Sequence, residues 1–300
     1  MKERVITILP ILLLCIVTLG FLRPETTESN ASIIKRFWIV KTHTKKKYNL
    51  LICGDSRTYR GVSPDFMEEI LSEFSIFNFG FSSGSFSPFM LDQIEKKLDF
   101  NAPVKVLYLG ITPYSLTPKA SRDGHIKQEL ARKKEEIIEA LYLDPVKRFF
   151  EPYEINWDKK SDSVIYIQEY KNNGWVATTK IPPNPREALA IYVKDFEDNT
   201  VSAQMIDNLI IKVREWSLKN VRVFATRPPT TKEMIELENR LSGFNEGEFV
   251  KRFKEAGGIW LKMNHSQYTS FDGSHLDIPS SISFSKDIAT LIEAELTKTP

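Results

Sequence analysis

Short apolar runs rich in β-forming residues alternate with helical patterns from Tyr48 onward, and this alternation constrains the fold more than any other feature of the sequence. Strands that are separated by helices form parallel sheets with helices packed on both faces. The sequence therefore predicts an α/β fold with a small, doubly wound and mostly parallel sheet of five strands. The five runs are residues 49–53 (NLLIC), 75–78 (SIFN), 104–109 (VKVLYL), 221–225 (VRVFA) and 258–261 (GIWL).

Helical patterns fill the intervals between these runs. Ser63 followed by Pro64 is a favoured helix start, and we predict that this helix continues to about Glu73. Apolar residues at helical spacing over 206–216 mark one face of a second helix. The last helix is predicted over about 283–296.

Composition and charge narrow the functional classes. The chain of 300 residues carries 41 basic and 39 acidic residues, a net charge of +2, which is far from the surplus of a dedicated nucleic-acid-binding protein. Cys15 and Cys53 cannot form a disulfide framework, so packing alone must stabilise the fold. We predict neither a metal nor another cofactor, because the sequence has no recognised metal spacing and no P-loop or dinucleotide-binding glycine pattern.

The N-terminal sequence predicts a location in the cell envelope. Residues 5–22 form an uncharged stretch of 18 residues that is preceded by Lys2 and Arg4. Such a segment either enters a membrane or is removed as a signal peptide. The basic start predicts that the N-terminus stays in the cytoplasm and that the remainder is exported. We favour an uncleaved anchor over residues 1–22, because the stretch is long for a signal peptide and no Ala-x-Ala site follows it.

Residues 23–47 are predicted to be a juxtamembrane linker that precedes a domain over residues 48–300. Within the linker, residues 41–47 (KTHTKKK) concentrate positive charge. Contact with anionic head groups or polymers is one interpretation of this charge. A solvated linker is the other interpretation, and it is the one that we favour.

Residues 119–198 interrupt the alternation. A charged helical stretch over 128–142 is followed by the aromatic segment 149–157 (FFEPYEINW) and by two β-like runs around the hairpin signal at 172–174 (NNG). We predict an inserted cap region at one end of the sheet. Insertions there usually shape the substrate site, and structural padding is the alternative.

A candidate nucleophile follows the first predicted strand. In Gly54-Asp55-Ser56, the serine comes at the carboxyl end of that strand and before a helix, where open α/β sheets build their sites. Glycine permits the tight turn, and the start of the helix directs backbone N–H groups toward developing negative charge. Ser56 is therefore a candidate for nucleophilic attack.

A candidate base follows the fifth predicted strand, in residues 271–276 (FDGSHL). An Asp three residues before a His can hydrogen-bond one imidazole nitrogen and leave the other free to accept a serine proton. We predict His275 as the base and Asp272 as its partner. Asp272 as a mere turn former is the alternative, and His265 is a rival base without a nearby carboxylate.

A loop that contains glycines, residues 78–85 (NFGFSSGS), follows the second predicted strand. A glycine in such a loop lets a backbone N–H face a tetrahedral oxyanion without a side chain in the way. Gly84 or Gly80 fits this role. A flexible loop without a chemical role is the alternative.

Together these segments resemble the SGNH, or GDSL-type, hydrolase superfamily. Residues 54–56 (GDS) are similar to its first block, residues 78–84 to its second and residues 272–275 (DGSH) to its last, in the same order along the chain. The resemblance covers residues 48–118 and 200–297. It implies a three-layer α/β/α sandwich of the flavodoxin-like kind.

The resemblance also implies roles for individual residues. Ser56 is implied to be the nucleophile and, through its N–H, one oxyanion donor. Gly84 is implied to be a second donor, His275 the base and Asp272 its partner.

The third block departs from the family pattern of Gly-x-Asn, in which the Asn side chain donates to the oxyanion. Here the corresponding residues are 110–112 (GIT). Thr112 can donate only through a shorter, rotatable hydroxyl. Losing one oxyanion donor costs about 3–4 kcal/mol of transition-state stabilisation. Arg227, after the fourth predicted strand, is a candidate substitute or a clamp for a substrate anion, and pairing with a carboxylate is its alternative role.

A looser resemblance, to the accessory proteins of bacterial envelope acylation, rests on architecture and location. It implies acyl transfer onto or off a surface polysaccharide, with acetyl as the expected acyl group and envelope proteins as further partners. A catalytically weak domain that binds polysaccharide or acts as a scaffold is the main alternative, and a lipid-directed esterase is a third hypothesis. Four aromatic residues in the insertion suit stacking on sugar rings or packing of the hairpin. They are Trp157, Tyr166, Tyr170 and Trp175.

Overall fold

A parallel sheet of five strands lies at the centre of the fold, which confirms the predicted α/β class. The structure, a computed structural model, describes residues 2–22, 31–143, 146, 149 and 164–298. The strands of the sheet and of a separate hairpin are β1 (Leu50–Gly54), β2 (Ile76–Asn78), β3 (Lys105–Gly110), β4 (Ile165–Tyr170), β5 (Val176–Ile181), β6 (Val221–Thr226) and β7 (Ile259–Trp260). The sheet has the order β2-β1-β3-β6-β7, and each neighbouring pair in it is parallel.

Helices connect the strands and cover both faces of the sheet. The α-helices within the described residues are α1 (Lys2–Leu22), α2 (Ala31–His43), α3 (Ser56–Gly61), α4 (Pro64–Glu68), α5 (Pro88–Lys97), α6 (Gly124–Leu130), α7 (Lys134–Ile138), α8 (Leu189–Asp195), α9 (Ala203–Leu218), α10 (Lys232–Leu241), α11 (Glu246–Glu255) and α12 (Ile278–Leu296).

Successive residues of each strand face opposite sides of the sheet, and this separates two hydrophobic cores. Leu51 and Cys53 of β1 belong to the core formed with α2, α5, α9 and α11. Leu50 and Ile52 belong to the core formed with α4 and α12. The result is a three-layer α/β/α sandwich. Because both faces are buried, the strands read as unbroken apolar runs in the sequence.

Helix α2 differs from the linker predicted over 23–47. Phe37, Trp38 and Ile39 are buried in or beside the main core, so the folded part begins before Tyr48. Lys41, at the start of the basic segment, is 0% exposed. Its Nζ donates to Gly174 O over 2.9 Å. Burial lowers the pKa of Lys41.

Helix α1 carries exposed apolar side chains from Ile8 to Leu14. Within the residues that the structure describes, no helix combines the length and apolarity needed to cross a membrane. The anchor over residues 1–22 stays a prediction.

The predicted insertion contains a β-hairpin that docks beside β2. Strands β4 and β5 are antiparallel, and the turn between them lies at the predicted residues 172–174. Asn78 N, at the end of β2, donates to Asn173 O over 2.9 Å. The predicted helix over 128–142 is instead divided between α6, α7 and a π-helical turn at Glu139–Leu143. Most of the aromatic segment 149–157 lies outside the described residues.

Candidate active site

Ser56 is the first residue of α3, directly beyond the end of β1. Asp55 caps the helix, because its Oδ1 accepts from Arg57 N over 2.9 Å. Gly54 has φ +155°, and a Cβ at this position would lie 2.2 Å from Thr58 Oγ1. A glycine is therefore required where the strand turns into the helix that carries the serine.

Ser56 and His275 meet across 219 positions of sequence. Ser56 Oγ lies 2.8 Å from His275 Nε2, and His275 Nδ1 lies 2.7 Å from Asp272 Oδ2. The other oxygen of Asp272 accepts from the backbone N–H groups of Ser274 and His275, over 2.8 and 2.7 Å. These bonds hold the carboxylate in the orientation that places a proton on Nδ1 and leaves Nε2 as the acceptor for the serine proton.

The electrostatics of this site favour a charged Asp272. Burial by itself would raise the pKa of Asp272, but the hydrogen bond and charge of His275 outweigh burial and lower the pKa to about 2. The side chains of Asp272 and His275 are each 14% exposed, so the pair is shielded yet open at one side. Phe271 stacks on the His275 ring, with the centroids 5.8 Å apart.

The hydroxyl of Thr112, a predicted oxyanion donor, is engaged in a bond of its own in the structure. Its hydroxyl donates to Asp55 Oδ2 over 2.6 Å, and the residue is 0% exposed. The proton that an oxyanion would need is therefore committed to a carboxylate. Burial raises the pKa of Asp55, while the charge of Arg57 and the Thr112 bond oppose this shift. Thr112 therefore stabilises the position of Asp55, the residue before the nucleophile.

The loop after β2 does not offer the glycine donor that the sequence predicts. Gly84 N–H donates to Phe81 O, and Gly80 N–H donates to Asn78 Oδ1, both over 3.0 Å. Ser83 instead adopts φ +52°, the left-handed conformation that glycine favours. Among the described residues, neither Ser83 N–H nor Ser56 N–H has a hydrogen-bond acceptor. These two groups are the candidates for an oxyanion site.

Arg227 is likewise not the substrate clamp that the sequence predicts, because it is 3% exposed. It donates to Glu238 Oε2 and Glu246 Oε2, each over 2.8 Å, and to Asn239 Oδ1 over 2.9 Å. Its guanidinium is used in structural pairing beyond the end of β6. This corresponds to the alternative role of pairing with carboxylates.

Arg57, beside the nucleophile, is a site residue that the sequence analysis missed. It is 2% exposed, and its Nε donates to Ser274 Oγ over 2.9 Å. Its Nη2 forms an ion pair with Glu238 Oε1 at 2.7 Å. Arg57 therefore ties the Ser56 turn to the His275 loop. The available signal was a basic residue directly after the candidate nucleophile.

The hairpin borders the same side of the molecule. Tyr166 accepts from Arg60 Nη1 over 2.7 Å and lies edge-on to Phe271, with ring centroids 6.4 Å apart. Trp175 Nε1 donates to Arg60 O over 2.8 Å, and Tyr170 packs against Phe37. Tyr170 and Trp175 thus have packing roles, whereas Tyr166 is 48% exposed. Trp157 lies outside the described residues.

Comparisons with known proteins do not assign the chain to a family. No protein-family model matches it, and no curated protein matches it. Among solved structures, a protein of Streptococcus pneumonia that is provisionally described as a platelet activating factor is similar over 87% of this chain and 91% of that chain. The identity is 12% and the TM-score 0.40. The functional argument therefore depends on the geometry around Ser56.

Proposed function

We propose that the chain is a serine esterase or O-acyltransferase that works through an acyl-serine intermediate. The observation that carries the proposal is the continuous chain of short contacts from Ser56 Oγ through the His275 ring to Asp272, at 2.8 and 2.7 Å. A hydroxyl, a base and an orienting carboxylate in this order are the parts that nucleophilic acyl transfer requires.

In the proposed reaction, His275 Nε2 takes the hydroxyl proton as Ser56 Oγ attacks the carbonyl carbon of an ester. The Ser56 and Ser83 N–H groups stabilise the tetrahedral oxyanion. The ester C–O bond then breaks, and His275 returns the proton to the leaving alcohol. In the second half of the reaction, His275 Nε2 takes a proton from water or a sugar hydroxyl as that oxygen attacks the acyl carbon. The bond from the acyl carbon to Ser56 Oγ then breaks, and His275 returns the proton to Oγ.

We further propose that the acyl esters belong to a polysaccharide of the bacterial envelope, and that the chain is exported and anchored through its N-terminus. The support for export is the uncharged stretch 5–22 behind Lys2 and Arg4. The support for a sugar substrate is the exposed ring of Tyr166, which lies next to the ring that stacks on His275.

A catalytically weak domain that binds the same polymer is the second candidate. The observation that favours it is the engagement of Thr112, Gly80 and Gly84 in bonds of their own, which leaves fewer donors for an oxyanion. Turnover of a chromogenic acetate ester together with oligosaccharide binding distinguishes the two. Binding without turnover favours the second candidate.

A fluorophosphonate probe tests the first proposal directly. We expect the wild-type chain to be labelled and Ser56→Ala to lose the label with a nearly unchanged melting temperature, because Ser56 is partly exposed and the substitution removes only one hydroxyl group. Ser82→Ala is the matched control, since Ser82 is an exposed serine in the neighbouring loop and should retain the label. Labelling of Ser56→Ala at the wild-type level would refute the assignment of the nucleophile.

A further inference from the structure

A cavity of about 430 Å³ opens between the end of α2 and α5, and positive charge is concentrated in its wall. Lys45, Lys47, Lys96 and Lys97 line it together with His43, and no Asp or Glu is among the lining residues. Composition does not account for this concentration, because the whole chain has a net charge of only +2. Like charges around one cavity repel each other unless an anion lies between them.

The four lysines of the cavity make no ion pair with any residue that the structure describes. Lysines elsewhere on the surface do form such pairs, for example Lys286 with Glu69 at 2.6 Å and Lys212 with Glu95 at 3.4 Å. The positive charge of the cavity is therefore not neutralised by the described part of the chain.

Lys97 is the most buried of these lysines, at 5% exposed. Its Nζ donates to Thr44 O over 2.6 Å and to Thr44 Oγ1 over 3.3 Å. An ammonium group has three donors, so one remains for a ligand. Burial without a neighbouring carboxylate lowers the pKa of Lys97 to about 8. An anion bound in the cavity would offset the cost of burying the charge of Lys97.

The rest of the cavity is partly apolar. Phe79 and Ile126 are each 2% exposed, and Leu130 lies beside them in the lining. The volume falls within the range of small-molecule sites. We propose that this cavity binds a phosphate-bearing ligand, with its phosphate oxygens on the lysines and its organic part against these apolar side chains.

Phosphate fits these lysines for a chemical reason. Lysine ammonium groups bind phosphate as compact point charges. Several of them together bind an anion that carries more than one charge, such as phosphate, better than they bind a single carboxylate. The ligand is a phosphorylated small molecule, a segment of a phosphate polymer or a lipid head group, which share this chemistry. The proposal is independent of acyl transfer, since Ser56, Asp272 and His275 do not line the cavity.

Titration calorimetry on the full chain in neutral detergent tests the site with inorganic phosphate, glycerol 3-phosphate and short-chain dihexanoylphosphatidylglycerol. The Lys45→Gln/Lys96→Gln double variant removes two exposed ammonium groups from the cavity wall. We expect it to bind the best of these probes at least about tenfold more weakly than wild type. Lys232→Gln/Lys298→Gln is the matched control, because both side chains are exposed elsewhere, at 87% and 66%.

Lys97 gives an independent readout. The groups that line the cavity with it are His43, Lys45, Lys47 and Lys96, none of them acidic. An anion favours the charged form of Lys97, so binding near pH 8 should take up protons, and affinity should fall as the pH rises above about 8. Buffers with different heats of ionisation measure this uptake. Lys97→Met should remove it.

Each outcome of these titrations either tests whether the cavity binds phosphate or identifies the source of the ligand. Equal affinities for the cavity variant and the control variant, or the absence of binding to all three probes, would overturn the site. Tighter binding of the short-chain lipid than of glycerol 3-phosphate would identify a lipid head group. Equal or weaker binding of the lipid would identify a soluble or polymeric phosphate.

Discussion

At the scale of single residues, Thr112 supports the turn that carries the nucleophile. Its hydroxyl is a buried donor to Asp55 Oδ2. We expect Thr112→Val to lower the free energy of unfolding by about 1–3 kcal/mol, since it leaves a buried acceptor without its donor. Thr112→Ser keeps the hydroxyl and should retain most of this stability. Urea unfolding measures both effects. A loss of probe labelling in Thr112→Val without any loss of stability would instead support the oxyanion role.

Asp272 gives the residue-scale prediction for pH. Its pKa of about 2 in the folded protein lies below the unfolded value of about 3.9. A depressed carboxyl pKa stabilises the fold above the unfolded pKa, and this contribution is lost as the pH falls through the folded one. The wild type should therefore exceed Asp272→Asn in stability by about 2 kcal/mol near neutral pH, and the difference should shrink between about pH 5 and pH 2. Urea unfolding at several pH values tests this, and a difference that does not change with pH would contradict it.

At the scale of elements, the hairpin tip supports the helix that carries Ser56. Asn78 N donates to Asn173 O in the tip. The Asn78 side chain donates to Thr58 O within α3 and to Val62 O just beyond its C-terminal end. Hairpin, strand β2 and helix α3 are thus joined through one asparagine. A structural change at the hairpin tip should therefore alter the position of Ser56.

Gly174→Ala tests this connection. Gly174 has φ +88°, and a Cβ there would lie 2.0 Å from Asn78 O, so the tip must move away from β2. We expect a loss of about 1–3 kcal/mol in stability, because the position combines backbone strain with a steric clash. Slower fluorophosphonate labelling should accompany it. Gly124→Ala, at the first residue of α6 with no atom within 4 Å of the added Cβ, is the control and should be nearly neutral. Equal stability of the two variants would show that the tip is not tightly docked.

At the scale of the whole molecule, the sequence predicts the sheet well and the buried charges poorly. Strands such as β3 and β6 were found within a residue or two, because burial on both faces leaves an unbroken apolar run. The proximity of Ser56 and His275 followed from sheet topology, since the carboxyl ends of parallel strands meet at one edge. The buried positions of Lys41 and Arg57 depend on partners that lie 133 and 217 positions away in sequence. A charged side chain is by default expected at the surface.

The arrangement of the chain in the cell is the remaining prediction at this scale. Residues 5–22 carry no charge, and consecutive side chains of α1 such as Ile11, Leu12 and Leu13 are 56–57% exposed, so no face of this part of the helix is covered by the folded domain. We expect the full chain to remain in bacterial membranes after an alkaline carbonate wash, with the part from α2 onward open to protease on the outer side. Leu12→Arg/Leu14→Arg should move the protein to the wash supernatant, because each arginine adds about 2.5–3.5 kcal/mol to the cost of insertion at the centre of a spanning helix. Lys45→Gln/Lys47→Gln, outside the segment, is the control and should stay in the membrane fraction. Recovery of the wild type in the supernatant would contradict the anchor and, with it, the envelope location of the proposed substrate.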